Sequence, residues 1–164
     1  MIDIELSNQQ DTYPVDEARL VAAVERVLRG EGIRSGTISL ALVDDPTMHE
    51  LNRRYLQHDE PTDVLSFVLE RREDALEGEV ILSVDTAATA CQHFGWTRDD
   101  ELLLYAVHGA LHLVGYDDRC PDDQHRMRQR EQHYLAACGL EARYEETGHF
   151  PPPPDPTSAA EETA

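Results

Sequence analysis

Apolar and polar residues alternate with two different periods along this chain, and the two periods divide it into strands and helices. Apolar and acidic residues alternate from Ile2 to Leu6, which predicts a short strand with one buried face. Between Val15 and Arg29, leucines and valines recur three and four residues apart, the spacing of an amphipathic helix. The same criteria predict three further strands, at 37–43, 64–69 and 78–83, and four further helices, at 46–55, 85–94, 98–114 and 121–138.

The order of these elements, β-α-β-α-β-β-α-α-α, is typical of an α+β fold. We therefore predict a single domain with one mixed β-sheet of about four strands packed by helices, and a charged loop at 71–77. Asp45 and Thr97 each precede a predicted helix, so we expect both side chains to cap helix N-termini. Beyond Tyr144 the chain becomes rich in proline, serine and glutamate, a composition that cannot bury enough apolar surface to fold. These patterns predict a folded domain at 1–149 and a disordered tail at 150–164.

A motif with the spacing of a metal site closes the fourth predicted helix, which is the penultimate one. His108 and His112 are four residues apart, so a helix points both imidazoles to the same side. Gly115 can end the helix in a left-handed conformation, and Asp118 then returns as a third ligand through oxygen. The spacing resembles the metzincin pattern H-E-x-x-H-x-x-G-x-x-H, with Gly109 in place of the glutamate and Asp118 in place of the third histidine. We predict a zinc site formed by His108, His112 and Asp118.

The cysteines leave one alternative open and indicate the compartment. Cys120 lies two residues beyond Asp118 and is an alternative third ligand, although an ordinary cysteine at a helix start is the favoured interpretation. Three cysteines without a C-x-x-C pair argue against a disulfide framework and fit a reducing compartment. No apolar stretch reaches the ~20 residues that span a bilayer, and the first residues lack the basic start of a signal peptide. We expect a cytoplasmic protein with no membrane partner.

The charge of the chain bears on whether it binds nucleic acid. Its formal net charge is −19, and an acidic surface repels phosphate backbones. However, all fourteen basic residues are arginine, and a lysine-free, acid-rich chain indicates a proteome-wide bias such as GC-rich coding or a salty cytoplasm. Concentrated salt shortens the Debye length to about 3 Å. The net charge therefore does not exclude an RNA partner.

Three stretches resemble the YbeY family of bacterial endoribonucleases that mature ribosomal RNA. They are NRRYLQHDEPTDVLSF from Asn52, GEVILS from Gly78 and HGALHLVGYD from His108, within a likeness that extends from about residue 2 to residue 139. The resemblance implies a single α+β domain that holds one zinc ion through three histidines. It also implies a single-strand-specific endoribonuclease that acts in maturation of the small-subunit RNA 3′ end and in ribosome quality control. The implied partners are ribosomal RNA and ribosomal proteins rather than DNA.

The chain departs from the family pattern at two places. Asp118 replaces the last histidine of the motif, and zinc also accepts a carboxylate in a mixed site. In the family segment Y-R-x-K-D, Leu56 replaces the arginine that is thought to serve catalysis, and His58 replaces the lysine. The cations that can take over the role of the missing arginine are Arg53, Arg54 and Arg119.

These observations favour a metal-dependent endoribonuclease with one zinc ion per chain. The catalytic group is a metal-bound water, and Arg53 and Arg54 are candidate contributors whose roles the sequence does not assign. The first alternative is a non-catalytic, metal-binding ribosome-maturation factor, because Leu56 and Asp118 are both expected to weaken activity. The second is a zinc peptidase, which is disfavoured because Gly109 stands where that motif carries its general base.

Overall fold

Four strands form one mixed sheet in the computed structural model, which describes residues 1–56 and 63–141. The strands are β1 (Ile2–Asn8), β2 (Ser35–Val43), β3 (Val64–Arg71) and β4 (Ala75–Ser83). They lie in the order β1-β2-β4-β3, with β1, β2 and β4 parallel and β3 antiparallel to β4. The predicted mixed sheet is therefore confirmed, and the predicted tail at 150–164 lies outside the described residues.

Five helices cover this sheet, namely α1 (Glu17–Gly30), α2 (Asp45–Leu56), α3 (Val84–Phe94), α4 (Arg98–Leu113) and α5 (Pro121–Ala137). Alternate residues of β2 point to opposite faces, so Leu40 and Leu42 enter the main core with α1 and α4. Val43 packs instead with Met48 of α2 in a smaller cluster on the other face. The chain is a single α+β domain, as predicted. No helix within the two described ranges is long and apolar enough to cross a membrane.

The hairpin of β3 and β4 is longer than the sequence pattern predicts. Residues 71–77 were expected to form a charged loop, but β3 continues to Arg71 and β4 begins at Ala75. The charged residues fit a strand here because β3 is an edge strand whose side chains are exposed from Val68 onwards. Pairing shifts register between Val68 and Glu70, and the side chains of Val68 and Leu69 are 50% and 69% exposed.

The N-terminus of α2 is capped by a different aspartate from the one expected. The Oδ1 atom of Asp44 accepts a hydrogen bond from the Thr47 amide at 2.9 Å. Asp45 instead accepts from the hydroxyls of Ser83 at 2.5 Å and Thr86 at 2.7 Å. The expectation that Asp45 caps the helix is wrong, because this carboxylate joins the start of α2 to the start of α3.

The helix that carries the histidine motif, α4, is the most enclosed element of the fold. Its N-terminus has the expected cap, since Thr97 and Asp100 form a reciprocal capping box. Each residue from Glu101 to Leu111 is buried. Glu101 accepts a hydrogen bond from the Trp96 indole at 2.6 Å. Burial raises the pKa of Glu101 to about 7, although hydrogen bonds from Trp96 and Tyr105 oppose the shift.

Candidate metal centre

Three side chains meet where α4 ends. The Nε2 atoms of His108 and His112 are 3.0 Å apart, as expected for two residues four apart on one helix. Gly115 has a φ of 107°, in the left-handed region, and turns the chain back after the helix. Asp118 is thereby placed with its Oδ2 atom 3.6 Å from the Nε2 of His108 and 3.8 Å from that of His112. We call His108, His112 and Asp118 the metal group.

The second nitrogen of each histidine has a partner that fixes the tautomer. The Nδ1 of His112 lies 3.0 Å from the backbone oxygen of Tyr116, which only accepts, so this nitrogen carries the proton. The Nδ1 of His108 lies 2.5 Å from the carboxylate Oε2 of Glu131, and we assign it the proton for the same reason. Both Nε2 atoms of the neutral imidazoles then present lone pairs to the space beside Asp118.

This arrangement fits a metal ion. Two lone pairs and a carboxylate oxygen repel one another at these distances, and a cation between them converts the repulsion into attraction. Three tetrahedral zinc ligands, each about 2.1 Å from the ion, are about 3.4 Å apart. The separations of 3.0, 3.6 and 3.8 Å lie on both sides of this value. The other carboxylate oxygen of Asp118, Oδ1, is buried without a hydrogen-bond partner.

Glu131 of α5 is a part of the site that the sequence analysis missed. Its side chain is fully buried and contacts His108 across 23 residues of sequence. A metal-bound histidine commonly donates its other ring hydrogen to such a carboxylate, which orients the ring and makes it a better ligand. The signal in the sequence was weak but present, because Glu131 follows Met127 by four residues and therefore shares its buried face.

The loop that carries Asp118 is tied to two helices through Tyr116. The Tyr116 hydroxyl donates to Glu31 at 2.9 Å, while its backbone oxygen holds His112. Glu31 also accepts from Arg130 and Tyr134 of α5, each at 2.5 Å. Burial raises the pKa of Glu31, but the hydrogen bonds from Tyr134, Arg130 and Tyr116 together lower it below its ordinary value. The ionised Glu31 therefore joins α1 and α5 to the loop that carries Asp118.

The remaining candidates from the sequence lie outside the metal group. Cys120, the alternative third ligand, is exposed at the start of α5. Arg53 and Arg54 are exposed in the last turn of α2, where both form ion pairs with Glu50. The side chain of Leu56 lies outside the described part of the structure, as does His58.

Gly109 faces the sheet rather than the site. A Cβ atom at this position would lie 2.7 Å from Val80 and 3.1 Å from Val64, and the Gly109 carbonyl accepts from Ser66 at 3.1 Å. The close contact of α4 with β3 and β4 leaves no room for a side chain. The general-base glutamate of the metzincin motif therefore has no place here, which argues against the zinc peptidase.

A cleft of about 250 Å³ opens beside the metal group. One wall is the edge strand β3, through Ser66 and Val68, and the other is the end of α4 with the loop that follows it. His112 belongs to the lining, so the cleft reaches the metal group directly. Arg53 and Arg54 are not among its lining residues.

Comparison with known proteins assigns the chain to a family. The family model described as endoribonuclease YbeY matches residues 5–139, which include all three members of the metal group. The chain belongs to the YbeY family. An endoribonuclease YbeY from Carboxydothermus hydrogenoformans is 41% identical over 141 residues, covering 84% of this chain and 98% of that protein. The endoribonuclease YbeY of Salinibacter ruber is 37% identical over 142 residues, covering 82% of this chain and 90% of its own length.

The fold agrees with this YbeY assignment. A solution structure from Thermotoga maritima superposes with a TM-score of 0.55 at 22% identity, and the match covers 85% of this chain and 92% of that one. At this identity the likeness concerns the fold alone. Within the YbeY match, the metal group and its buried partner Glu131 lie on α4, α5 and the loop between them.

Proposed function

We propose that the protein is a metal-dependent endoribonuclease that cleaves single-stranded RNA, with ribosomal RNA as its substrate and the ribosome as its partner. The observation that carries the proposal is the convergence of two imidazole lone pairs and one carboxylate beside an open cleft. The family supports the reaction class, because its curated relatives are named endoribonucleases. In this view the protein acts in the cytoplasm on the small-subunit RNA 3′ end and in ribosome quality control.

Zinc is the ion that suits the donor set, since imidazole nitrogen and carboxylate oxygen are ordinary zinc ligands in catalytic sites. When bound, zinc supplies Lewis-acid chemistry, which acidifies water and offsets negative charge that develops on phosphoryl oxygens. His108, His112 and Asp118 would hold the ion, and the cleft beside them would admit solvent or substrate. Because Asp118 is anionic where a histidine would be neutral, the site carries one positive charge less and is a weaker Lewis acid.

The surrounding residues act by orientation. Glu131 and the backbone oxygen of Tyr116 keep the hydrogen of each imidazole on Nδ1, so that Nε2 is available to the ion. Gly109 provides no base, and its close contact with the sheet allows α4 to pack close to β3. The chain would therefore contribute an oriented ligand set and an open cleft rather than a base from the motif.

Metal analysis and RNA cleavage together test the proposal. Purified protein is expected to hold about one zinc per chain and to cut a labelled single-stranded fragment of small-subunit RNA. A chelator should abolish cleavage, and added zinc should restore it. His112→Ala should lose metal and cleavage while its circular dichroism stays native, whereas the control His125→Ala, at an exposed histidine on α5, should keep both.

The main alternative is a non-catalytic maturation factor. Asp118 favours it, because it replaces a histidine of the family motif. In that case the protein retains zinc and binds RNA, but zinc-loaded protein leaves the fragment intact. That result would overturn the proposed cleavage and leave the metal site standing.

A further inference from the structure

The cleft beside the metal group presents a problem of charge for a substrate made of phosphates. Asp118 and the adjacent Asp117 are both anionic, and Asp117 accepts a hydrogen bond from the Asp118 amide at 2.8 Å. The chain as a whole carries −19. A zinc ion in the metal group would offset these two carboxylates but leave no net positive charge to attract a phosphodiester, so a further cation in the lining of the cleft would favour its approach.

Among the residues that the structure describes, Arg119 is the arginine in the lining of this cleft. Its side chain is 69% exposed, and its Nε atom lies 3.7 Å from the Oδ1 of Asp117, which is itself 44% exposed. An exposed ion pair at this distance contributes little free energy, so the guanidinium can leave Asp117 for a stronger partner at small cost. A phosphate that accepts two parallel hydrogen bonds from the guanidinium is such a partner.

The opposite wall of the cleft offers an apolar surface. Val68 of β3 and Leu113 of α4 both belong to the lining, and Val68 is 50% exposed. Arg119 and Val68 thus bring a charged and an apolar side chain into the same lining that contains His112. A nucleotide has the same two characters, since its phosphate is anionic and its base has an apolar face.

We propose that Arg119 is a substrate-binding residue that holds a phosphate of the RNA strand next to the metal group, while Val68 contacts the adjoining base. Asp117 competes with that phosphate for the guanidinium and so restrains binding. This inference rests on the proposed function, because it names residues that hold the same RNA. It also assigns the phosphate contact to Arg119 rather than to Arg53 or Arg54, which pair with Glu50 outside the cleft.

Arg126 provides a matched control for Arg119. It is 68% exposed and pairs with Asp123 at 3.4 Å, so its environment resembles that of Arg119, but it lies on α5 outside the lining of the cleft. Arg119→Ala and Arg126→Ala remove the same charge from the protein. A difference between these two variants therefore reports the position of the charge and not the net charge.

The test measures binding and cleavage separately on the zinc-loaded protein. Anisotropy of a fluorescent single-stranded RNA gives Kd at several salt concentrations, and gel analysis gives KM and kcat. Arg119→Ala should weaken binding and raise KM about 10- to 100-fold with a smaller change in kcat, and should reduce the salt slope by about 0.7. Arg119→Lys should keep the native salt slope and recover part of the affinity. Lysine restores the positive charge but cannot donate the two parallel hydrogen bonds of the guanidinium. Asp117→Asn should bind RNA more tightly than the native protein.

The outcomes separate this inference from the proposed function. If Arg119→Ala and Arg126→Ala lose affinity equally, or if Arg119→Ala keeps the native Kd, the assignment of Arg119 is wrong even where cleavage proceeds. If the native protein binds RNA through Arg119 but does not cut it, the proposed cleavage fails and the binding role stands. If the native protein neither binds nor cuts RNA, both the proposed function and the role of Arg119 are wrong.

Discussion

Glu101 offers a quantitative test of how the buried helix α4 affects stability. Its carboxyl lies two turns before His108, fully buried, and accepts a hydrogen bond from Trp96. Burial raises its pKa from the ordinary 4.5 to about 7. The folded protein therefore binds this proton more tightly than the unfolded chain does. Its stabilising contribution is complete below pH 4.5 and is lost as the pH rises through 7.

The magnitude follows from the size of the shift. One pKa unit corresponds to 1.36 kcal/mol, so this shift lowers the free energy of unfolding by about 3 kcal/mol between pH 4.5 and pH 8. Glu101→Gln keeps an oxygen that can accept from Trp96 but cannot ionise. The free energy of unfolding of the variant should not fall in this way. Relative to that of the native protein, it should therefore rise by about 3 kcal/mol from acid to neutral pH. Other titrating groups affect both proteins alike and cancel in the comparison.

Urea unfolding from pH 4.5 to pH 8, followed by circular dichroism, measures this difference. Trp96 is the sole tryptophan of the chain and contacts Glu101 directly, so its native-state fluorescence gives a second observable. The fluorescence should titrate near pH 7 in the native protein and stay flat in Glu101→Gln. Parallel stability curves for the two proteins would refute the raised pKa.

Two further predictions concern the metal group and the chain end. Glu131→Gln should lower zinc affinity about 10- to 100-fold, because the amide is a weaker acceptor for the His108 ring hydrogen. Competition with a chromophoric chelator measures the zinc affinity. Unchanged zinc affinity would show that Glu131 only fills space. Removal of residues 150–164, which we propose lie outside the folded domain at 1–149, should leave melting temperature and metal content unchanged. A fall of several degrees would show that these residues pack on the domain.

The order of elements and the meeting of His108, His112 and Asp118 in space were predictable because each depends on short-range patterns. The period of apolar residues gives strands and helices, and the spacing of His108, His112, Gly115 and Asp118 is set by helix geometry. Contacts between distant elements were not predictable from such patterns. Glu131 reads as one more charged residue on a polar helix, and its contact with His108 appears only when α5 packs against α4.

The same limit explains the two local errors. Asp44 and Asp45 are equally good caps by residue type, and the choice depends on Ser83 and Thr86, which lie about forty residues away and draw Asp45 toward α3. The early start of β4 at Ala75 likewise depends on its pairing with β3 and β2. In each case a partner distant in sequence decides between two locally acceptable structures.

The three residues of the metal group lie in parts of the fold that we expect to open locally at different free-energy costs. His108 and His112 lie on α4, which is enclosed by the core, so we expect its amides to exchange with solvent only when the domain unfolds. Asp118 lies on a partly exposed loop that Tyr116 and Glu31 tie to the fold, and we expect this segment to open with less free energy. We therefore expect a bound ion to enter and leave through local opening of this loop, at a rate independent of global unfolding. On this expectation the protein would exchange its metal while its core remains closed.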